Sequence, residues 1–248
     1  MKITLAQNET IFDNEAASRI VNQICRKPSS VIGLSTGRTT GNMHRLVCAL
    51  HKKLNFDVGT VTFFGLDEVT GVPREYSGAC YTMLRTEIID DLGISDDRFL
   101  MLPTISNDYE RECSNFRAEL KRRGGIDLLI LGLGENGHLG FNQPGANLNG
   151  VASTASMDER LEKRIRMETG TPAYVPLGGV TLGLRDIMHA RSIVLVAKGE
   201  NKRDAVKRML TGAIDSSCPA SVLQLHPCCE FLLDAKAASD IDIDLLRK

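Results

Sequence analysis

Short, continuously apolar runs alternate along this chain with stretches of helical period. That alternation limits the folds open to it more than any other feature. The runs at residues 30–35 (SVIGLS), 60–64 (TVTFF), 126–132 (IDLLILG) and 192–197 (SIVLVA) are rich in β-branched residues and show no strict polar alternation. Strands of that kind are buried on both faces, as in a parallel sheet covered by helices. Between them, residues 16–26 place Ala17, Ile20, Val21 and Ile24 on one helical face. Residues 40–52 do the same with Met43, Leu46, Val47 and Leu50, and 107–122, 202–210 and the tail from Asp234 are further helical stretches. The runs 221–225 and 228–233 read as two short strands about a turn at His226 and Pro227. Strand, loop, helix, strand in repetition predicts an α/β fold, an open, mostly parallel, doubly wound sheet.

With 248 residues and 42% hydrophobic residues, the chain suits a single domain over 1–248 with a full core. There is no repeat, low-complexity tract or Pro/Ser-rich linker. Residues 145–171 are polar and weakly periodic, which predicts a mobile lid or short helix over a site. A net charge of −1 gives no bulk attraction to nucleic acid or to an acidic membrane. The opening MKITLAQNET has no apolar core, and no stretch is long and apolar enough to span a bilayer. Seven cysteines, odd in number and scattered without a CxxC pair, fit free thiols in a reducing cytoplasm, with metal coordination as the other reading.

Ligands of such sheets bind beyond the carboxyl ends of the strands, so the residues after each apolar run carry the chemistry. After the first come Ser35, Thr36, Gly37, Arg38 and Thr39, leading into a helix. Small residues, hydroxyls and a helix N-terminus make a phosphate cradle, or else simply an N-capped strand-to-helix turn. The GKS/T ending of a Walker loop is absent, and the glycine spacing does not fit a dinucleotide fingerprint. After the second run, Asp67 and Glu68 are adjacent carboxylates, suited to acid/base work or a metal, or forming a solvated turn. After the third, a glycine-rich loop holds His138, with Asn136 and Gln143 able to orient its ring; a proton shuttle and a structural histidine are both open. After the fourth, Lys202 at a helix start is a phosphate counter-charge or part of a solvated charge cluster. No zinc spacing, Ser-His-Asp order or nucleophile elbow is present. The four segments converge at one sheet edge, as an active site requires.

The stretches STGRTTG, FFGLDEVTGVP, LGLGENGHLGFNQPG, GVTLGLRDI, KGENKRDA and PASVLQLHP, in this order from about residue 32 to 227, resemble the glucosamine-6-phosphate deaminase family. The GENGHLG and VTLGLRDI segments are most similar to galactosamine-6-phosphate deaminase/isomerases. The resemblance implies a modified Rossmann-like, three-layer α/β/α fold and a cofactor-free, metal-free enzyme, classed as a hydrolase. That enzyme isomerises and deaminates a hexosamine 6-phosphate, with the galactosamine epimer favoured. It implies Asp67 as the general base, with Glu68 beside it, and His138 assisting ring opening with Asn136 and Gln143 in support. The phosphate would lie on Ser35, Thr36, Gly37, Arg38 and Thr39, with Lys202 as counter-charge and Arg164 or Arg166 closing over it. The expected partner is a small sugar phosphate, and a homo-oligomer is open.

Two departures from the family pattern bear on activity. Position 143 is Gln where the family has Glu, and position 136 is Asn where some members have Asp. A 6-phosphogluconolactonase shares the fold and a related histidine loop, but Asp67 and the FN-x-P continuation argue against that hydrolase. A non-catalytic sugar-phosphate sensor is the reading that Gln143 keeps open.

Overall fold

The structure is a computed structural model describing residues 2–242. Strand β1 (Lys2–Ala6), helix α1 (Glu9–Arg26), β2 (Val31–Leu34) and α2 (Gly41–Leu54) lead to β3 (Thr62–Gly65) and β4 (Asp67–Thr70). Helix α3 (Cys80–Leu84) runs into a π turn (Arg85–Ile89), followed by β5 (Phe99–Leu100), α4 (Tyr109–Arg122) and β6 (Leu128–Gly132). Next come β7 (Ser153–Ala155), α5 (Glu159–Thr169), β8 (Gly178–Thr181) and α6 (Leu184–Met188). The last part holds β9 (Ile193–Ala197), α7 (Arg203–Thr211), a 3-10 segment (Pro219–Leu225) and β10 (Cys229–Asp234).

Seven strands form one sheet in the order β1-β10-β9-β6-β2-β3-β5, and every pair is parallel. Successive residues of a strand face opposite layers. Ile32, Leu34, Phe63 and Ile130 pack with Ile20, Ile24, Met43 and Val47 of α1 and α2. Val31, Phe64, Leu129 and Leu131 pack with Phe116, Ile187 and Met209 of α4, α6 and α7. Both faces are dry, which is why the central runs carry so few polar positions. Layer packing is close at the centre: a Cβ on Gly33 would lie 2.3 Å from the Phe64 ring and 2.4 Å from Leu129. The expected three-layer α/β/α architecture is therefore present.

From β2 the chain winds outward through β3 to β5, and from β6 it winds the other way through β9 to β10. The winding reverses between β2 and β6, so the loops leaving those two strands flank a crevice.

Several details depart from the sequence expectation. Edge strand β1 was not read, because it alternates, with Ile3 buried and Leu5 exposed; β5 is too short to give a pattern. The 221–225 run is not a strand. It belongs to the 3-10 segment, which begins at Pro219 and is buried from Pro219 to Leu223; a five-residue apolar run does not separate strand from helix. After Asp234 the chain makes turns rather than a helix, and residues 243–248 of that expected helix lie outside the described residues. The polar 145–171 segment holds β7 and α5. Strand β7 joins β8 and β4 in a small antiparallel sheet, and Ile165 of α5 packs on that sheet's apolar cluster with Val69, Val72 and Phe141.

Among the described residues, all seven cysteines are unpaired, no helix is long and apolar enough to cross a membrane, and no group of three or more His, Cys, Asp and Glu residues could hold a metal ion.

Candidate active site

Asp67 and Glu68 open strand β4 rather than forming a turn, and this separates them. Consecutive strand residues point to opposite faces. Glu68 is fully buried, and its Oε1 accepts the N–H groups of Val69 (2.7 Å) and Cys80 (2.8 Å) while Oε2 accepts that of Tyr81 (2.7 Å). Helix α3 starts after Ala79, which has no side-chain acceptor, so the Glu68 carboxylate does the capping from another strand. Burial pushes its carboxyl up to about 7, opposed by those three N–H bonds, while the charge of Asp67 adds to the rise. Glu68 therefore holds the site together from within, and the catalytic part assigned to it by sequence does not match its position.

Asp67 points the other way, toward the crevice, and stays partly exposed. Burial pushes its carboxyl up to about 6, against a hydrogen bond from the Cys80 thiol (3.8 Å). Opposite it in the ladder stands Thr181 of β8. The histidine loop crosses directly over both: a Cβ on Gly140 would lie 3.3 Å from Asp67 Oδ2 and 2.6 Å from Thr181 Oγ1. Only glycine permits that approach, and its φ of +56° adds a second reason.

In that loop the His138 ring lies on Gly134, where a Cβ would come within 2.3 Å of Nδ1. Asn136 Oδ1 accepts the backbone N–H of His138 (3.1 Å) and lies 2.8 Å from His138 Nδ1. A backbone N–H can only donate, so the amide oxygen must face the histidine, and Nδ1 must carry its proton. Asn136 Nδ2 donates in turn to Gln143 Oε1 (3.0 Å). The neutral ring therefore keeps Nε2 as its acceptor nitrogen. Burial and the nearby charge of Lys202 push the imidazole below its ordinary value, against the pull of Asp158 and Glu135. Lys202 is itself half-buried and lowered by that burial, with Glu135 opposing. Thus His138, Lys202 and the start of α5 at Asp158 are electrostatic neighbours.

The phosphate loop is divided in its duties. Ser35 is buried and its hydroxyl donates to Ile130 O (2.8 Å) and accepts from Gly132 N (3.4 Å), tying β2 to β6. Its hydroxyl, on the first residue past β2, is thus engaged by β6 rather than turned to the loop's open side. Thr36 Oγ1 donates to Cys80 Sγ (3.2 Å). Gly37 has φ +129°, and the backbone N–H groups of Thr40 and Gly41 return to its carbonyl. Thr40 precedes α2 but makes no side-chain capping bond, so the loop is not a plain N-cap turn. Arg38 is exposed, and Thr39 lies beside it at the helix entrance.

The two arginines differ. Arg166 bonds Glu162 and the carbonyls of Pro172 (2.6 Å) and Val175 (3.0 Å), stapling α5 to the loop that follows it. Arg164 is exposed, with Glu168 3.8 Å away. Neither bonds the 35–41 loop among the described residues. Sequence reasoning missed Cys80, Thr181 and the buried Asn142, whose amide donates to Leu139 O and Leu182 O, both 2.9 Å, and so braces the histidine loop. Thr181 and Asn142 lie inside stretches that carried the resemblance; nothing in the sequence marks Cys80.

Residues 9–229 match the family described as glucosamine-6-phosphate isomerases/6-phosphogluconolactonase. The chain belongs to this family. Among curated relatives it is 33% identical over 239 residues to a glucosamine-6-phosphate deaminase of Halothermothrix orenii, covering 96% of this chain and 99% of the relative. It is also 33% identical over 246 residues to the enzyme of that name from Thermoanaerobacter pseudethanolicus, covering 99% and 97%. A solved structure described as a monomeric glucosamine-6-phosphate deaminase of the NagB superfamily superposes with a TM-score of 0.89 at 28% identity, covering 96% of this chain and 99% of that one. The 6-phosphogluconolactonase of Trypanosoma brucei superposes at 0.78 with 21% identity, covering 97% and 98%, a likeness of fold alone. This family member is thus an enzyme of deaminase/isomerase type, and the hydrolase class expected from sequence has no support among these relatives.

Proposed function

We propose that this chain isomerises and deaminates a hexosamine 6-phosphate to a ketohexose 6-phosphate and ammonia, with net uptake of water and without a cofactor. One juxtaposition carries the reading: the Asp67 carboxylate lies under the His138 loop at the crevice where the winding reverses. His138 Nε2 accepts a proton from the sugar and returns it to the ring oxygen as the ring opens. Asp67 then removes the proton from C2 and delivers it to C1 while a proton passes from the amine nitrogen to O1, which converts C1 to an alcohol and C2 to an imine. Water adds to the imine and ammonia leaves. Both groups act as bases; burial pushes the Asp67 carboxyl up to about 6 and holds the His138 imidazole below its ordinary value, so turnover increases as pH rises through the Asp67 titration at about 6.

The phosphate is bound by Thr36, Gly37, Arg38 and Thr39 at the start of α2, with Lys202 as counter-charge. Arg164 is the better closing residue, because the donors of Arg166 are already engaged. The 145–171 segment is the lid of a single domain, and the cytoplasm is its compartment. A homo-oligomer remains compatible with this reading.

The sequence leaned toward galactosamine 6-phosphate; the names of the relatives shift the weight to glucosamine 6-phosphate. Ammonia release from purified protein, with the two epimers assayed in parallel and 6-phosphogluconolactone beside them, tests the reading. Release from either amino sugar supports it. Lactone hydrolysis without ammonia moves the function to the lactonase class, and sugar-phosphate binding without turnover moves it to a sensor.

Gln143 gives a separate expectation. The relay hydrogen-bonded to His138 consists of amides, so imidazolium formed during ring opening is compensated only by the more distant charges of Asp158 and Glu135. Gln143→Glu keeps the acceptor for Asn136 and adds a charge within the relay. It is expected to raise the His138 pKa and speed turnover by roughly threefold to tenfold. An unchanged rate and pH profile would show that the relay does not limit the reaction.

A further inference from the structure

We infer that Cys80 is a positioning residue: its thiol, lodged between the Thr36 hydroxyl and the Asp67 carboxylate, locks the base to the phosphate loop in one geometry. The inference rests on the proposed deaminase reading and concerns a residue that no part of that reading uses.

The wiring is directional. Thr36 Oγ1 donates to Cys80 Sγ at 3.2 Å, and Cys80 Sγ donates to Asp67 Oδ1 at 3.8 Å. A hydroxyl hydrogen used on sulfur leaves the thiol hydrogen for the carboxylate, so the chain runs from the loop after β2 to the first residue of β4. Cys80 cannot drift, because it is the first residue of α3 and its N–H is held by Glu68 Oε1 at 2.8 Å. Glu68 adjoins Asp67 in sequence. A closed circuit results: β4 carries both acids, one acid fixes the start of α3, and α3 returns a donor to the other acid.

Several features favour positioning over reactivity. The thiol is buried, and burial together with the charges of Asp67 and Glu68 pushes it well above its ordinary value, so it stays protonated as a donor. Around Asp67, β8 presents the neutral Thr181 and the histidine loop presents Gly140. Glu68 is the neighbouring acid on its own strand, and burial is what disfavours ionisation of the base. The Cys80 bond opposes that effect and also sets the rotamer that aims the carboxylate at the substrate.

The test compares Cys80→Ala and Cys80→Ser with the wild type in ammonia release, reading kcat, KM and the pH profile, with thermal unfolding as a fold check. Cys80→Ala is expected to lower kcat about fivefold to tenfold at pH 8 with KM changed less than about threefold, and to move the acidic limb up by about half a pH unit or more. Cys80→Ser keeps a donor and is expected to restore the limb toward the wild-type position, which also covers failure of the alanine variant to fold. A lowered melting temperature with an unmoved limb in both variants would make Cys80 a packing residue and overturn the inference. Absence of ammonia release from the wild type would instead refute the deaminase reading on which it rests.

Discussion

Asp67→Asn is expected to reduce ammonia release by about 10²–10⁴-fold while making the folded protein more stable at alkaline pH. The rate falls because an amide cannot carry the proton from C2 to C1. The stability gain follows from burial, which pushes the Asp67 carboxyl up to about 6 from its ordinary 3.8. A carboxyl raised on folding favours the folded state only while it is protonated. That contribution is complete below about pH 3.8 and is lost as pH rises through about 6. The neutral amide escapes the loss, so the melting temperature of the variant should exceed that of the wild type at pH 8, by an amount worth up to about 3 kcal/mol. The difference should shrink toward pH 4. Activity retained with equal melting temperatures at both pH values would remove Asp67 from the base position. A trade of stability for reactivity is what a partly desolvated base implies.

Glu68→Gln is expected to do the reverse at about pH 5, below the value of about 7 to which burial pushes the Glu68 carboxyl, so that relief of its buried charge does not mask the lost cap. Both Glu68 oxygens are filled by N–H donors, three in all. A glutamine supplies one oxygen and turns an NH₂ group toward a backbone N–H. A buried donor left without an acceptor costs about 1–3 kcal/mol. At the size of this chain that lowers the melting temperature by roughly 3–10 °C. Activity should fall too, as the start of α3 loosens and Cys80 shifts away from Asp67. Thermal unfolding and ammonia release on one preparation separate the two acids. Full stability in Glu68→Gln would contradict the capping role.

The candidate site was legible to different depths. Its four loops could be read directly, because continuously apolar runs mark central parallel strands and a switch point lies beyond their carboxyl ends. Asn136, Gln143 and His138 could be grouped, since they lie within one glycine-rich loop and their hydrogen bonds are local. Residue type and spacing alone do not separate Asp67 from Glu68, and only the resemblance singles out Asp67, because their separation depends on β4, a four-residue strand in a second sheet whose partner β8 is remote in sequence. Ser35 looked like a cradle hydroxyl because its true partner, Ile130 O, is 95 residues away. Arg164 and Arg166 were equally plausible until helix α5 set them on different sides and one proved fully engaged.

By itself, the sequence determined what periodicity and local spacing determine: a helix-covered parallel sheet, the position of its crevice, the histidine loop, and the family to which these motifs belong. Only the tertiary structure decided which side chains face that crevice. Facing depends on strand pairing and on long-range donors, and the chain cannot express these until β4, α3 and the histidine loop have packed together. The thiol between base and phosphate loop is the clearest instance, since its two contacts lie 44 and 13 residues away in the chain.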